Sequence, residues 1–269
     1  MTAIRSAAIA LLVIVLTSCG SPAAPPTSMQ QAGGLPAIAQ RGEVRVCSTG
    51  DYRPFTYHDA AGNWSGLDIE MAHDLATRLG VRLEVVPTTW ANLITDLDSK
   101  CDTAMGGISI TLKRAKQAIY SAPYLRDGKA AIVRCADASK FQTLDDIDRQ
   151  GVRVVVNPGG TNAEFDTEHL HKAQIVTYPD NNTIFEQLTG NAADVMITDA
   201  SEIRWEANQN PQLCGQGLDH PFTFEQKGYL VPQSATDLQQ WINQWLNIVQ
   251  NDGTYAALSQ KYLGAVIGP

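Results

Sequence analysis

The stretch Val152–Asn162, "VRVVVNPGGTN", is a β-branched run that ends in a glycine-rich turn. A short apolar run bounded by turn residues reads as a buried strand. Downstream come a helix around Ala163–Leu170, a strand in "AQIVTYP", a helix in "NNTIFEQLTGN" and a strand in "ADVMITD". Upstream the same order appears once before. "EVRVCST" is a strand, "GLDIEMAHDLATRLG" a helix stopped at Gly80, "VRLEVVP" a strand, "WANLITDLDSKC" a helix and "DTAMGGIS" a strand. Strand-helix-strand order implies parallel strands joined by crossover helices. Val152–Asn162 therefore opens a second unit, and the chain reads as two α/β lobes with a cleft between them. The expected limits are 35–127 with 230–265 for lobe 1, and 128–229 for lobe 2. Ligands of open α/β sheets bind at the carboxyl ends of strands. Those ends are "GDYRPF", "MGGISIT", "NPGGTN" and "TDASE".

The first residues follow another logic. Arg5 precedes an apolar run from Ala7 to Leu16. Such a run is short for a bilayer span and has the layout of an export signal. It ends in "LTSC", which resembles the lipobox of bacterial lipoproteins. Residues 1–18 are thus expected to be a signal peptide, with lipidated Cys19 opening a flexible tether over 19–34, rich in Pro and small residues. The predicted location is the periplasm or the outer face of the cell membrane.

A formal charge of −8 over 269 residues, without a basic run, argues against nucleic acid as a partner. With Cys19 set aside, Cys47, Cys101, Cys135 and Cys214 remain, and four cysteines allow three pairings. Cys135 and Cys214 share the second half of the chain and are the favoured bridge; Cys47–Cys101 is left open. No CxxC occurs and no His neighbours a Cys, so no metal is expected. The five histidines, His58, His73, His169, His171 and His220, show no catalytic arrangement.

"ITDASEIRW", Ile197–Trp205, places Asp199 and Glu202 three residues apart just past a buried strand. One helical turn separates them, so both can face one cleft. "NPGGTN" lacks the Lys-Ser/Thr ending of a P-loop and the spacing of a dinucleotide fingerprint. It reads as a nest of backbone N–H groups at a helix start, suited to a carboxylate.

From about Gly42 to Leu263 the chain resembles the amino-acid-binding class of bacterial extracellular solute-binding proteins. The markers are "GDYRPFTYHDAAGNWSGLDIEMAHDLA", "DTAMGGISITLKRAKQAIYSAPYL", the lobe-two glycine turn and "ADVMITD". The resemblance implies a two-lobed, periplasmic-binding-protein-like type II fold, each lobe a mostly parallel sheet flanked by helices. It also implies that Arg114 grips a ligand carboxylate, that Asp199 binds an ammonium, and that Tyr52, Phe55 and Trp90 form an aromatic wall.

"VCSTGDYRPFTY", "VPTTW", "MGGISITLKRAKQA", "DGKAAIVRCAD", "VNPGGTN" and "VMITDASE" further resemble the cyclohexadienyl dehydratases, exported enzymes on this fold. These convert prephenate to phenylpyruvate and arogenate to phenylalanine, with loss of water and carbon dioxide. The resemblance implies that Glu202 is the general acid for the leaving hydroxyl, and no cofactor is expected. Charge suggests Arg114 for the retained carboxylate and neutral donors for the departing one: Ser109, Thr161, Asn162 and the backbone of Gly159 and Gly160. Asp51, beside Tyr52, and Lys129, near the crossover, complete the expected substrate contacts. The pattern departs where the family has an acid directly after the glycine turn: here Ala163 stands there and Glu164 follows. Residues 211–223 also match poorly. The alternative is a lipoprotein receptor that delivers an amino acid to an ABC permease, for which Asp199 alone would suffice.

Overall fold

The computed structural model describes residues 34–269, so the signal segment and the Cys19 anchor lie outside the described residues. Two five-stranded sheets organise the chain. In the first the order is Arg82–Pro87, Glu43–Ser48, Thr103–Ala104, Leu230–Pro232, Ala118–Tyr120. In the second it is Gln174–Thr177, Arg153–Val156, Val195–Asp199, Lys129–Arg134, Leu213–Gln216. The first three strands of each sheet are parallel, as the repeat predicts. The last two join through antiparallel pairings, the fourth strand running against its neighbours on both sides, so the sheets are mixed. Those strands enter by long-range pairing rather than by a local strand-helix-strand unit, which is why the repeat did not contain them.

Each sheet is covered on both faces. Val44 and Val46 of the first pack on Leu67, Met71 and Leu75 and on the helix Thr236–Asn251 through Ile242, Trp245 and Leu246. The opposite face buries Cys47 and Ala104 against Leu93 and Leu97. In the second sheet Val155 and Met196 face Ile184, Leu188 and Ile203, while Val154, Val195 and Ile197 face Phe165 and Ile147. Alternation along each strand thus feeds two apolar layers, as sheets buried on both sides require. Helix Leu67–Leu79 stops where Gly80 takes a left-handed backbone, φ 71°, and its N–H reaches the Ala76 and Thr77 carbonyls. Thr143 caps helix Leu144–Ile147 in a reciprocal capping box with Asp146.

One disulfide staples each lobe: Cys47–Cys101 with Cα atoms 5.7 Å apart, and Cys135–Cys214 at 4.9 Å. Between the sheets the chain crosses through Leu125–Asp127 and again through Glu225–Lys227, and these two strands pair antiparallel. No described helix is long and apolar enough to cross a membrane.

Candidate active site

The strand ends predicted from sequence converge. A small cavity lies between the lobes. Lobe 1 lines it with Tyr52, Trp90, Gly107, Ser109 and Arg114, and lobe 2 with Asn157, Gly160, Thr161, Asn162, Asn181 and Asp199. The lobes touch closely: a Cβ on Gly159, whose φ is 86°, would meet the Ala91 backbone nitrogen at 3.0 Å. Glycine is needed there for both the conformation and the approach. Behind the lobe 1 wall, buried Asp68 accepts from Gly107 N at 2.5 Å, Tyr124 Oη at 2.7 Å and Tyr229 Oη at 2.8 Å, which pins the Gly106–Gly107 turn.

Arg114 sits in the short helix Leu112–Ala115, whose N-cap Thr111 accepts from the Arg114 N–H. Its Nη1 donates to the Ser109 carbonyl at 3.2 Å, and its Cζ lies 5.9 Å from the Trp90 ring centre. Trp90 meets Tyr52 edge-on at 5.5 Å. Phe55 stacks behind Tyr52, in the core rather than on the cavity wall.

Asp199 ends strand Val195–Asp199 and is the N-cap of helix Ala200–Gln209. Its carboxylate is surrounded. Lys129 Nζ donates to Oδ1 at 2.8 Å, Lys227 Nζ to Oδ2 at 2.5 Å, and the Tyr52 hydroxyl to Oδ2. Burial works to raise this carboxyl, but the two ammonium groups outweigh it and hold it well below the usual range. Burial alone would lower the Lys227 ammonium, yet Asp199, Asp127 and Glu225 push it upward instead.

Glu202, in the first turn of the same helix, is 2 % exposed. Its Oε2 accepts from Thr198 Oγ1 at 2.5 Å, and Thr198 in turn accepts from Asn162 Nδ2 at 2.9 Å. Burial drives its carboxyl well above the usual range, the Thr198 hydrogen bond opposes that, and the Asp199 and Glu206 charges add to it. The two acids of "TDASE" are thus equally buried, and their partners push them opposite ways: Asp199 toward the ionised form, Glu202 toward the protonated one.

Lys129, expected as a substrate contact, does not line the cavity. Only 1 % exposed, it donates to Thr161 Oγ1 at 3.0 Å, Asn162 Oδ1 at 2.6 Å and Asp199, which uses all three of its donors. Lys129 and Glu202 stand one side chain behind the lining residues. Asp51 does not line the cavity: burial raises its carboxyl, and its backbone carbonyl accepts from Asn181 Nδ2 at 2.8 Å. Glu164 points to the mouth of the cleft and pairs with Lys113 at 2.5 Å across the two lobes.

Sequence reasoning missed Lys227, Glu225, Thr198, Asn157 and Asn181. The lone lysine of "EQKGYLVP", set against an apolar strand, was the available signal for Lys227. Glu225 accepts from Ser109 Oγ at 2.7 Å and Thr223 Oγ1 at 3.2 Å. Among the described residues no group of three or more His, Cys, Asp or Glu is placed to hold a metal ion.

Comparisons with known proteins follow the same outline. Residues 44–265 match the pattern of the bacterial extracellular solute-binding proteins, family 3. The chain is 44% identical over 234 residues to the cyclohexadienyl dehydratase of Pseudomonas aeruginosa, covering 87% of each chain. It is 28% identical to the L-cystine-binding protein TcyJ of Escherichia coli, over 88% of this chain and 89% of that one. Among solved structures it superposes on AncCDT-1, an ancestral amino acid-binding protein and precursor of cyclohexadienyl dehydratase, with TM-score 0.80 at 34% identity, covering 85% of this chain and 99% of that one. A variant of the ancestral cyclohexadienyl dehydratase AncCDT-3 matches at 46% identity with TM-score 0.55, covering 87% and 97%. By these matches, and by its two mixed α/β lobes enclosing a small-molecule cavity, the chain belongs to the bacterial extracellular solute-binding proteins of family 3.

Proposed function

We propose that this protein is an exported dehydratase of the cyclohexadienyl type, a carbon–oxygen lyase acting on prephenate and arogenate. The observation that carries the reading is Glu202: a buried carboxyl whose surroundings favour the protonated form, one turn from Asp199, whose surroundings favour the ionised form, and one side chain behind the lining of a cleft that holds Arg114. A receptor needs an ionised partner for its ligand and has no use for a second, neutral acid. A dehydratase needs that proton.

The chemistry follows from the substrate. The bond from the ring to its carboxylate breaks, and its electron pair enters the ring. The ring hydroxyl leaves with the Glu202 proton, and carbon dioxide, water and an aromatic side chain result. Glu202 is left ionised and regains a proton from solvent once the cleft opens. Aromatisation drives the step, so the protein's part is to orient the substrate and place one proton. Arg114 suits the retained carboxylate as a forked partner. Thr161, Asn162, Ser109 and the Gly160 backbone are neutral donors that hold the departing carboxylate without opposing its loss. Lys129 orients Thr161 and Asn162, and Trp90 and Tyr52 pack on the ring and exclude water.

The lobe limits we assign are 35–127 with 230–265, and 128–229. We assign a lipid anchor at Cys19, which predicts a mature N-terminus at a modified Cys19 in mass spectrometry of the native protein. Phenylpyruvate formation from prephenate by the purified protein tests the activity. Absence of turnover, together with tight binding of a free amino acid, would replace this reading with the receptor.

A further inference from the structure

Asn181 lines the cavity from lobe 2, just past the edge strand Gln174–Thr177, and is 4 % exposed. Its Nδ2 donates at 2.8 Å to the backbone carbonyl of Asp51, in lobe 1. A carbonyl can only accept, so this bond fixes the amide: the nitrogen turns to lobe 1 and the oxygen is the free end. That oxygen, Oδ1, is buried and has no hydrogen-bond partner. A buried acceptor left unpaired is costly, so one on a residue that lines a binding cavity asks for a donor on the ligand. The loop that carries it is tied down. Asp180 accepts from the Asn182 N–H at 3.0 Å and from Thr183 Oγ1 at 2.9 Å. Arg53 of lobe 1 donates from Nη1 to Asn182 Oδ1 at 3.2 Å, and its Cζ lies 3.5 Å over the Tyr57 ring. The acceptor is therefore in place before a ligand arrives. Asn157 also lines the cavity with an unpaired Oδ1, but no hydrogen bond among the described residues fixes which way its amide turns.

The chemistry of the substrates limits what that donor can be. At neutral pH prephenate carries two carboxylates and a keto group, all acceptors, and a single donor, the ring hydroxyl. Arogenate has the same hydroxyl besides its ammonium. We propose that Asn181 Oδ1 binds the ring hydroxyl, the group that leaves as water. This rests on the dehydratase reading above and holds for both substrates. The hydroxyl donates its hydrogen to Asn181, which leaves its oxygen lone pairs free for the Glu202 proton. As the carbon–oxygen bond breaks, that proton joins the oxygen, the hydroxyl's own hydrogen stays on it, and water is released. A hydroxyl that is gaining a proton is a stronger donor, so the contact with Asn181 tightens toward the transition state.

The test is Asn181→Ala in the full chain. Steady-state kinetics should show kcat lowered by about tenfold or more and KM raised by about fivefold, for prephenate and arogenate alike. Calorimetry in the Glu202→Gln background, where substrate is not consumed, compares prephenate with its product phenylpyruvate, which has lost the hydroxyl. Asn181→Ala should weaken prephenate by about fivefold and leave phenylpyruvate within about twofold. An amide that only ties the lobes together would weaken both ligands by the same factor, and such parallel losses overturn the proposal. So does an unchanged kcat. Asn181→Leu, of similar size but with neither donor nor acceptor, is the second variant should the alanine one not fold, and the same split is expected of it. No turnover of either substrate by the wild type would overturn the dehydratase reading and this proposal with it. Turnover by the wild type with parallel losses in the variant overturns this proposal alone.

Discussion

The two walls of the cleft grow from the same strand-helix plan and serve different ends. The lobe 1 wall holds a guanidinium and aromatic faces: Arg114, Trp90 and Tyr52. On the lobe 2 side Asp199 lines the cavity and Glu202 stands behind it, two carboxyls whose charge is decided by their partners. Asp199 and Glu202 share one helical turn and one degree of burial. Asp199 has two ammonium groups at hydrogen-bond distance, while Glu202 has one threonine hydroxyl. Burial penalises both charged forms, and only the acid with cationic partners overcomes the penalty. Lobe 1 is therefore built to grip, and lobe 2 to hold and release a proton. Each wall can be disturbed separately.

The largest effect belongs to Glu202. Glu202→Gln keeps size and hydrogen bonding but has no proton to give. Turnover of prephenate should fall by about 100- to 10,000-fold with binding nearly unchanged. The sign in pH is fixed: the acid works only when protonated, so the wild-type rate falls as pH rises through its elevated pKa, and the variant lacks that limb. Equal turnover by Glu202→Gln would remove it from the reaction.

On the opposite wall, Arg114→Lys replaces a fork with a point charge. Ligand binding should weaken by roughly 2–4 kcal/mol, with the shape of the pH profile preserved. Unchanged affinity in calorimetry would take Arg114 out of the site.

Asp166 sharpens the contrast within lobe 2. It is fully buried on the Thr161–His169 helix, and neither of its carboxyl oxygens has a partner. Burial pushes its carboxyl up to about 8, only partly countered by Lys129. The folded state thus keeps this proton to about pH 8, whereas the unfolded chain loses it near pH 4. The resulting stabilisation of the folded state is complete below about pH 4 and is lost as pH rises toward about 8. Asp166→Asn cannot ionise, so it should be more stable than wild type at neutral pH by up to about 4 kcal/mol and equal to it near pH 4. Thermal melts across that range check this, and parallel curves would show that Asp166 ionises freely.

The smallest effect lies at the mouth. Lys113 and Glu164 join the lobes by an ion pair whose side chains remain largely exposed. Such pairs contribute about 1 kcal/mol or less. Lys113→Ala should raise KM by less than about fivefold and flatten its salt dependence. A loss of turnover as large as that of Glu202→Gln would instead bring Glu164 into the chemistry.

Much of the architecture was legible. Periodicity in "GLDIEMAHDLATRLG" with its glycine stop, the β-branched runs, and their repetition after Val152 determine two α/β lobes, because these signals are local and each residue's neighbours in sequence are its neighbours in the element. The strand ends follow from the same reading, and with them Tyr52, Ser109, Arg114, Thr161 and Asp199 as lining residues. Tertiary structure alone decided the rest. The antiparallel strands Lys129–Arg134 and Leu230–Pro232 join their sheets by pairing across long stretches of chain. Lys129, Lys227 and Tyr52 reach Asp199 from 70, 28 and 147 residues away. No periodicity encodes such a meeting. Nor does a residue's type encode its charge: Asp199 is pushed toward the ionised form and Glu202 toward the protonated one because desolvation and nearby ammonium groups are properties of the assembled surroundings. The same reason places Glu164 on the surface and Glu202 inside, though both are first-turn acids in the sequence.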